Sequence, residues 1–140
     1  MEKLKYDKDQ ASGKHIEALP LNTDIGYAAY KGRIMVSGRD FLYVSHHAKG
    51  PKGEIVLAYQ STEHPEYEPT KKYVRGHTHI AGWFLTPSED DPNVSNCLYL
   101  SQASMKGMLP KVFQDIPAKN QGYKVFVVRD AMKGSKYAKK

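Results

Sequence analysis

The stretch Val36-Ser-Gly-Arg-Asp-Phe-Leu-Tyr-Val44 decides how this chain folds. Phe41-Leu-Tyr-Val44 has the aromatic and β-branched character of a strand, which can run on to His47. Gly38 and the charged pair Arg39-Asp40 stand where that strand opens. Lys49-Gly-Pro-Lys-Gly53 follows as a turn, because glycine and proline punctuate both of its ends. Glu54-Ile-Val-Leu-Ala-Tyr59 then returns as the hairpin partner. Arg39 and Asp40 invite a catalytic reading, but an adjacent Arg-Asp at a strand start more often fixes a turn through charge-assisted hydrogen bonds. We assign them that structural role.

Outward from this hairpin, Ile25 to Tyr30 is a short apolar and aromatic run stopped by Lys31-Gly32, a further strand. Residues 1–20 are polar and end at Leu19-Pro20, which reads as a loosely ordered lead-in. Thr62 to Lys72 carries two prolines and several charges, the composition of a surface loop. Tyr73 to Thr86 is strand-like but interrupted by Gly76 and Gly82, residues that mark bulges or close backbone approach. Pro87 to Asn93 is a loop. Val94 to Gln102 is a strand with Cys97, Tyr99 and Ser101 on one face and Leu98, Leu100 and Gln102 on the other.

The period then changes. Beyond Gly107, Pro110 sits where a helix takes a first-turn proline. Val112, Phe113, Ile116, Asn120, Tyr123, Val127 and Val128 recur at three- and four-residue steps, which predicts an amphipathic helix over 108–137. Pro117 falls inside it and is expected to kink or split it. The chain therefore reads as one α+β domain over 1–140, a curved antiparallel sheet gripping a long C-terminal helix.

Composition narrows the function classes. The formal charge is +6, with the densest lysines at the end (Lys133, Lys136, Lys139, Lys140). That tail fits contact with an anionic membrane surface, or simply a solvated helix end complementing its dipole. Four scattered arginines give no cluster for nucleic acid, so no nucleic-acid partner is expected. A single cysteine excludes an internal disulfide and suits a reducing compartment. No apolar run approaches the ~18–20 residues needed to span a bilayer. The N-terminus lacks the apolar core of a signal peptide. A cytoplasmic location, peripheral to membranes, follows as the default.

Sites for chemistry are sparse. His77-Thr-His79 puts two imidazoles on one strand face, and a zinc site would need further ligands from His46, His47, His64 or an acid. No HExxH or CxxC completes the set, so no metal and no cofactor is expected. Cys97 lies mid-strand, where a thiol is usually a small buried hydrophobe. There is no GxSxG, P-loop or GxGxxG, which argues against an enzyme. The strands do carry Tyr27, Tyr30, Tyr43, Tyr59, Tyr73, Trp83 and Tyr99. Apolar bodies with hydrogen-bonding tips suit a pocket for an amphiphile, and aromatic faces can hold a quaternary ammonium group. The same residues also favour strands for their own sake.

Five short motifs in order resemble the START family, the lipid-transfer domains related to steroidogenic acute regulatory protein. They are Gly38-Arg-Asp-Phe41, the His64-Pro65 loop, Tyr73-Val-Arg75, Gly82-Trp-Phe-Leu-Thr-Pro87 and Lys106-Gly-Met-Leu-Pro110. The likeness covers about residues 22–137, and the end of the chain looks nearest the phosphatidylcholine-transfer branch. It implies a helix-grip fold around one lipid, a phospholipid such as phosphatidylcholine or a sterol, carried between membranes without chemistry. It also implies that the C-terminal helix is a lid and that the Ala48 to Gly53 turn moves with it. The expected lipid-binding residues are Tyr43, Tyr59, Trp83 and Tyr99 from the wall and Phe113, Ile116 and Val127 from the lid. A cavity enzyme of the related cyclase or hydrolase kind, using a histidine, is the alternative; a basic nucleic-acid-binding module is another.

Three departures from the family pattern carry expectations of their own. The N-terminal helix and first strands of a complete domain are missing, which should leave a sheet edge unpaired and open to a homodimer. The opposed acid and arginine of some relatives fall at Gly26 and Ser45. The acid usual before the last glycine is Ser104.

Overall fold

The computed structural model describes residues 7–108 and 116–133, with side chains in the second segment from Gly122 onward. Six long strands lie side by side, each antiparallel to its neighbours: β1 (Gln10–Leu19), β2 (Thr23–Tyr30), β3 (Arg39–Lys49), β4 (Ile55–Ser61), β6 (His77–Pro87) and β7 (Ser95–Ser104). The two-residue β5 (Val74–Arg75) pairs in parallel with the opening of β3, and the break between β5 and β6 falls at Gly76. One helix, α1 (Ile116–Lys133), follows the sheet and approaches β7.

The hairpin expected around Lys49–Gly53 is present, with Gly53 in the left-handed region at φ 85° and the Gly50 amide donating to the Glu54 carbonyl. Residues 10–19 depart from the expected lead-in. They form a full strand paired from Gln10 to Leu19 with β2. Their ladder hydrogen bonds come from β2, and as the edge of the sheet they bury no continuous apolar face. The turn that delivers them, Pro20-Leu21-Asn22, contains no glycine. It closes through two left-handed residues, Leu21 at φ 58° and Asn22 at φ 57°, the geometry that matches strand twist in tight hairpins.

The helix also differs from expectation. Met108 is not helical and is 92% exposed, so the helix does not begin there. As described, α1 runs from Ile116 to Lys133 and includes Pro117. Among the side chains described, Lys124, Val125, Val128 and Ala131 make the partly covered stripe, while Tyr123, Phe126, Val127 and Met132 are exposed. The apolar residues are spread around α1 rather than gathered on one side.

Register sorts the sheet into two faces, because residues directly opposite on antiparallel strands share a side. Ile25↔Val44, Tyr27↔Leu42, Ala58↔Gly82, Gly82↔Leu100 and Phe84↔Leu98 lie on one face, here the back. Tyr30↔Arg39, Ala28↔Phe41, Gly26↔Tyr43, Tyr59↔Ala81 and Trp83↔Tyr99 lie on the other. The Lys124 ammonium stands 5.6 Å from the centre of the Tyr30 ring, so α1 covers this second face. The fully buried residues concentrate on β2 and β3: Ala28, Ala29, Leu42, Arg39 and Asp40.

Candidate functional site

Tyr43, Tyr59, Trp83 and Tyr99, spread over four strands, stand on the helix-side face together. Tyr43 and Tyr59 rings lie 5.8 Å apart, and Trp83 and Tyr99 4.4 Å apart. The Tyr59 and Tyr99 hydroxyls share a hydrogen bond of 3.1 Å that joins the two pairs. The result is one aromatic wall across β3, β4, β6 and β7. Period-2 alternation makes this arrangement, since each residue sits on the same pleat parity once the register is set.

The wall continues on β2 through its lack of a side chain. A Cβ built at Gly26 would fall 2.7 Å from the Tyr43 ring, so the ring lies flat over that position. At Gly26 and Ser45, where the resemblance set the opposed acid and arginine of some relatives, neither residue is charged; the Ser45 hydroxyl donates to the Asp24 carbonyl at 3.4 Å, and the Asp24 carboxylate beside it pairs with His15 at 2.8 Å. Burial pushes the Tyr59 hydroxyl well above its ordinary range, and the hydrogen bond to Tyr99 adds to this. It is a neutral hydrogen-bonding group inside an apolar surface, suited to a polar headgroup or hydroxyl rather than to acid–base work.

The lid residues fare differently. Phe113 lies outside the described residues. Ile116 opens α1. Val127 is 39% exposed, while Val128, named beside it in the periodic series, is partly covered.

Arg39 and Asp40 do not pair with each other, because neighbours on a strand point to opposite faces. Asp40, on the back, accepts a bidentate pair from Arg75 (Nε–Oδ1 2.9 Å, Nη2–Oδ2 3.1 Å) and a hydrogen bond from the Tyr27 hydroxyl at 3.0 Å. Arg75 also donates to the Tyr67 carbonyl, and Tyr67 packs 5.8 Å from Tyr27. The 62–73 loop is thereby fastened across the back of β1, β2 and β3. Arg39, on the helix side, donates to the carbonyls of Ser37, Met105 (3.4 Å) and Lys106 (3.1 Å). Sequence reasoning placed the pair at the strand opening and missed its distant partners, Arg75 at 35 residues from Asp40 and Met105 and Lys106 at 66 and 67 from Arg39.

His77 and His79 meet edge to face at 4.8 Å, but no group of three or more metal-ligating side chains exists among the described residues. Cys97 is exposed rather than buried, because it lies on an edge strand; partial desolvation raises its thiol pKa. Sequence reasoning also missed four large apolar side chains that are almost bare, Leu21 (84% exposed) in the turn between β1 and β2 among them. Ile34 (88% exposed) and Met35 (79%) cap the turn between β2 and β3, closed by paired hydrogen bonds between Arg33 and Val36. Met108 follows the segment that Arg39 holds. The signal was present as an Ile-Met pair inside a Gly-Arg turn, where apolar residues have no core to enter.

A curved antiparallel sheet with an aromatic wall on the face under a C-terminal helix is the architecture this chain adopts. The START domain family profile matches residues 1–137, and the chain belongs to that family. It is 26% identical over 99 residues to human StAR-related lipid transfer protein 6, covering 70% of this chain and 45% of the relative. It is 33% identical over 81 residues to mouse StAR-related lipid transfer protein 5, covering 58% and 38%. The fold matches the crystal structure of human STARD10 with a TM-score of 0.80 at 23% identity, over 93% of this chain and 53% of that one. The match thus spans less than half the length of these two relatives.

Proposed function

We propose that this protein binds a single lipid against the helix-side face and transfers it between membranes without chemical change. The observation that carries this reading is the Tyr43–Tyr59–Tyr99–Trp83 wall beneath α1, joined by the Tyr59–Tyr99 hydrogen bond. Apolar burial supplies the affinity, at roughly 0.8 kcal/mol for each CH₂ removed from water. The absence of an opposed acid and arginine at Gly26 and Ser45, with Asp24 beside them held by His15, supports a neutral or zwitterionic ligand, phosphatidylcholine or a sterol, over a net-anionic one. Membership of the family and the names of the relatives, both lipid transfer proteins, support the same reading.

Contact with an anionic bilayer forms the second part of the proposal. Ile34 and Met35 sit beside Lys31 and Arg33, and Met108 beside Lys106. Both segments meet at Arg39, which places these side chains at one end of the sheet. The Ala48 to Gly53 turn lies at the opposite end of the sheet. Among the described residues no helix is long and apolar enough to cross a membrane. A homodimer is the third part: β7 has no strand partner on its outer edge among the described residues, and it carries exposed Leu98 and Leu100.

Native mass spectrometry tests the ligand, and transfer of labelled lipid between vesicles tests the activity. The expected result is one co-purifying lipid per chain and transfer that falls with Ile34→Asp. A lipid-free protein that extracts neither labelled phosphatidylcholine nor labelled sterol overturns the reading. The same spectrum reads the dimer, which Leu98→Lys should dissociate.

A further inference from the structure

The strands hold three acids, Glu17, Asp24 and Asp40. Register sends Glu17, opposite Ile25, and Asp40, opposite Ala29, to the back of the sheet. Of the three, only Asp24 stands on the helix-side face. It is opposite Ser45, and Ser45 is opposite Tyr59, so one cross-strand row runs from the carboxylate into the aromatic wall. The neighbouring row is His15, Gly26 and Tyr43. A bulge between His15 and Glu17 shifts the β1 register, and the His15 ring reaches diagonally to Asp24, Nε2 to Oδ1 at 2.8 Å. The other carboxylate oxygen, Oδ2, has no protein partner among the described residues, and neither Arg39 nor Lys49, the strand cations of this face, pairs with it. The pair is open to solvent, with the Asp24 side chain 38% exposed and that of His15 61%. Tyr43 completes the corner: its ring lies over Gly26 and so leans from β3 towards β1.

We propose that Asp24 is a specificity-determining residue for the ligand, taking the ammonium end of a zwitterionic phospholipid head, with His15 as its positioning residue. The corner offers a cation two attractions, a carboxylate oxygen without a partner and the face of the Tyr43 ring. An anionic head meets repulsion from the same carboxylate. His15 holds Oδ1, which leaves Oδ2 for the ligand. From Asp24 to Tyr59 is two strand spacings, about 10 Å, a span that a phosphocholine head and its glycerol cover. The acyl chains then lie along Tyr59, Trp83 and Tyr99, which are all partly buried, while the head stays at the open corner. A sterol carries no cation, so the corner adds nothing to its binding. Asp24 has this role only where a lipid occupies the wall; the assignment therefore rests on the proposed function and narrows its ligand to a zwitterion.

Competition within one vesicle tests the subsite. The intact chain is incubated with vesicles holding a sterol and equal amounts of phosphatidylcholine and phosphatidylglycerol with the same acyl chains, and native mass spectrometry reads which lipid each chain carries. The wild type should favour phosphatidylcholine. Asp24→Asn keeps the shape and removes the charge. It should cut the ratio of phosphatidylcholine to phosphatidylglycerol about fivefold, as one half-exposed ion pair and one cation–π contact together allow. The two lipids should move in opposite directions, the first down and the second up, which a general loss of structure would not produce. His15→Ala should shift the ratio the same way by a smaller factor. A ratio unchanged in Asp24→Asn overturns the proposal, as does wild-type uptake of the sterol alone. If Asp24→Asn fails to fold, the His15→Ala ratio decides. Uptake of no lipid by any form sinks the lipid-binding reading and the subsite with it, whereas uptake of both phospholipids at one fixed ratio overturns the subsite and leaves that reading standing.

Discussion

The back of the sheet divides into two halves built from similar strands with opposite outcomes. Behind β1, β2 and β3 the 62–73 loop lies across the sheet, fastened by Arg75, Asp40, Tyr27 and Tyr67. Leu42 and Asp40 there are 1% exposed. Behind β4, β6 and β7 nothing among the described residues covers Val56, Ile80, Phe84, Leu98 or Leu100, which are 36–64% exposed. A shallow groove of about 200 Å³, floored by Ala58 and edged by Val44, His46 and Ile80, marks the boundary. Strand pattern alone does not make a core; a cover must arrive from elsewhere in the chain. The aromatic wall rests mainly on the half whose back is bare, so the part of the sheet that supports the proposed ligand is also its less consolidated part.

The sharpest way to break this comparison is Asp40→Ala. It leaves the Arg75 guanidinium partly buried without its carboxylate, and should cost about 3–5 kcal/mol in urea unfolding. A loss under 1 kcal/mol would mean the loop is not what holds the covered half together. Next comes a matched pair. Leu42→Ala should cost about 2–5 kcal/mol, since it opens a cavity in a filled site. Leu100→Ala should stay within about 0.5 kcal/mol on a monomer, because the side chain is already in water. Similar costs at the two leucines would show that the bare half is covered in solution.

Tyr59→Phe is a smaller perturbation. It deletes the hydroxyl bond between the two halves of the wall and should cost about 1 kcal/mol. The change should weaken binding of a ligand that uses the hydroxyl more than one that uses only apolar contact, measured by competition between labelled phosphatidylcholine and labelled sterol. The smallest effect concerns pH. Burial first, and the hydrogen bond to Asp40 second, push the Tyr27 hydroxyl from 10 up to about 12. The folded state thus holds this proton more tightly than the unfolded chain. Its contribution is fully present below pH 10 and fades as pH rises from 10 towards 12. Urea midpoints of the wild type and Tyr27→Phe should converge across that window; parallel curves would remove Tyr27 from the fastening.

Much of the fold was legible because strands and turns leave local marks. Phe41-Leu-Tyr-Val44, the Gly-Pro-Lys-Gly turn and the break at Gly76 each read correctly from a few residues. β1 was not legible, because an edge strand needs neither apolar alternation nor a glycine turn when its partner supplies the ladder. The four aromatic wall residues could be named from composition and resemblance, but not their common side. Val127 illustrates the limit: a period of 3.6 identifies a helix, while the phase that faces the sheet depends on where the helix lands.

The sequence by itself determined the α+β class, the family, the position of the β3–β4 hairpin and the residue types that make an apolar wall with polar tips. These follow from backbone preference and side-chain chemistry, which act over a few residues. Only the tertiary structure decided that Tyr43, Tyr59, Trp83 and Tyr99 share one face, that Asp40 answers to Arg75, and that Arg39 answers to the Met105 and Lys106 carbonyls. Register sets the first, since a slip of one residue would send a side chain to the other face. The other two depend on contacts closed over tens of residues, where the buried charge finds its partner only after distant segments have come back to the sheet.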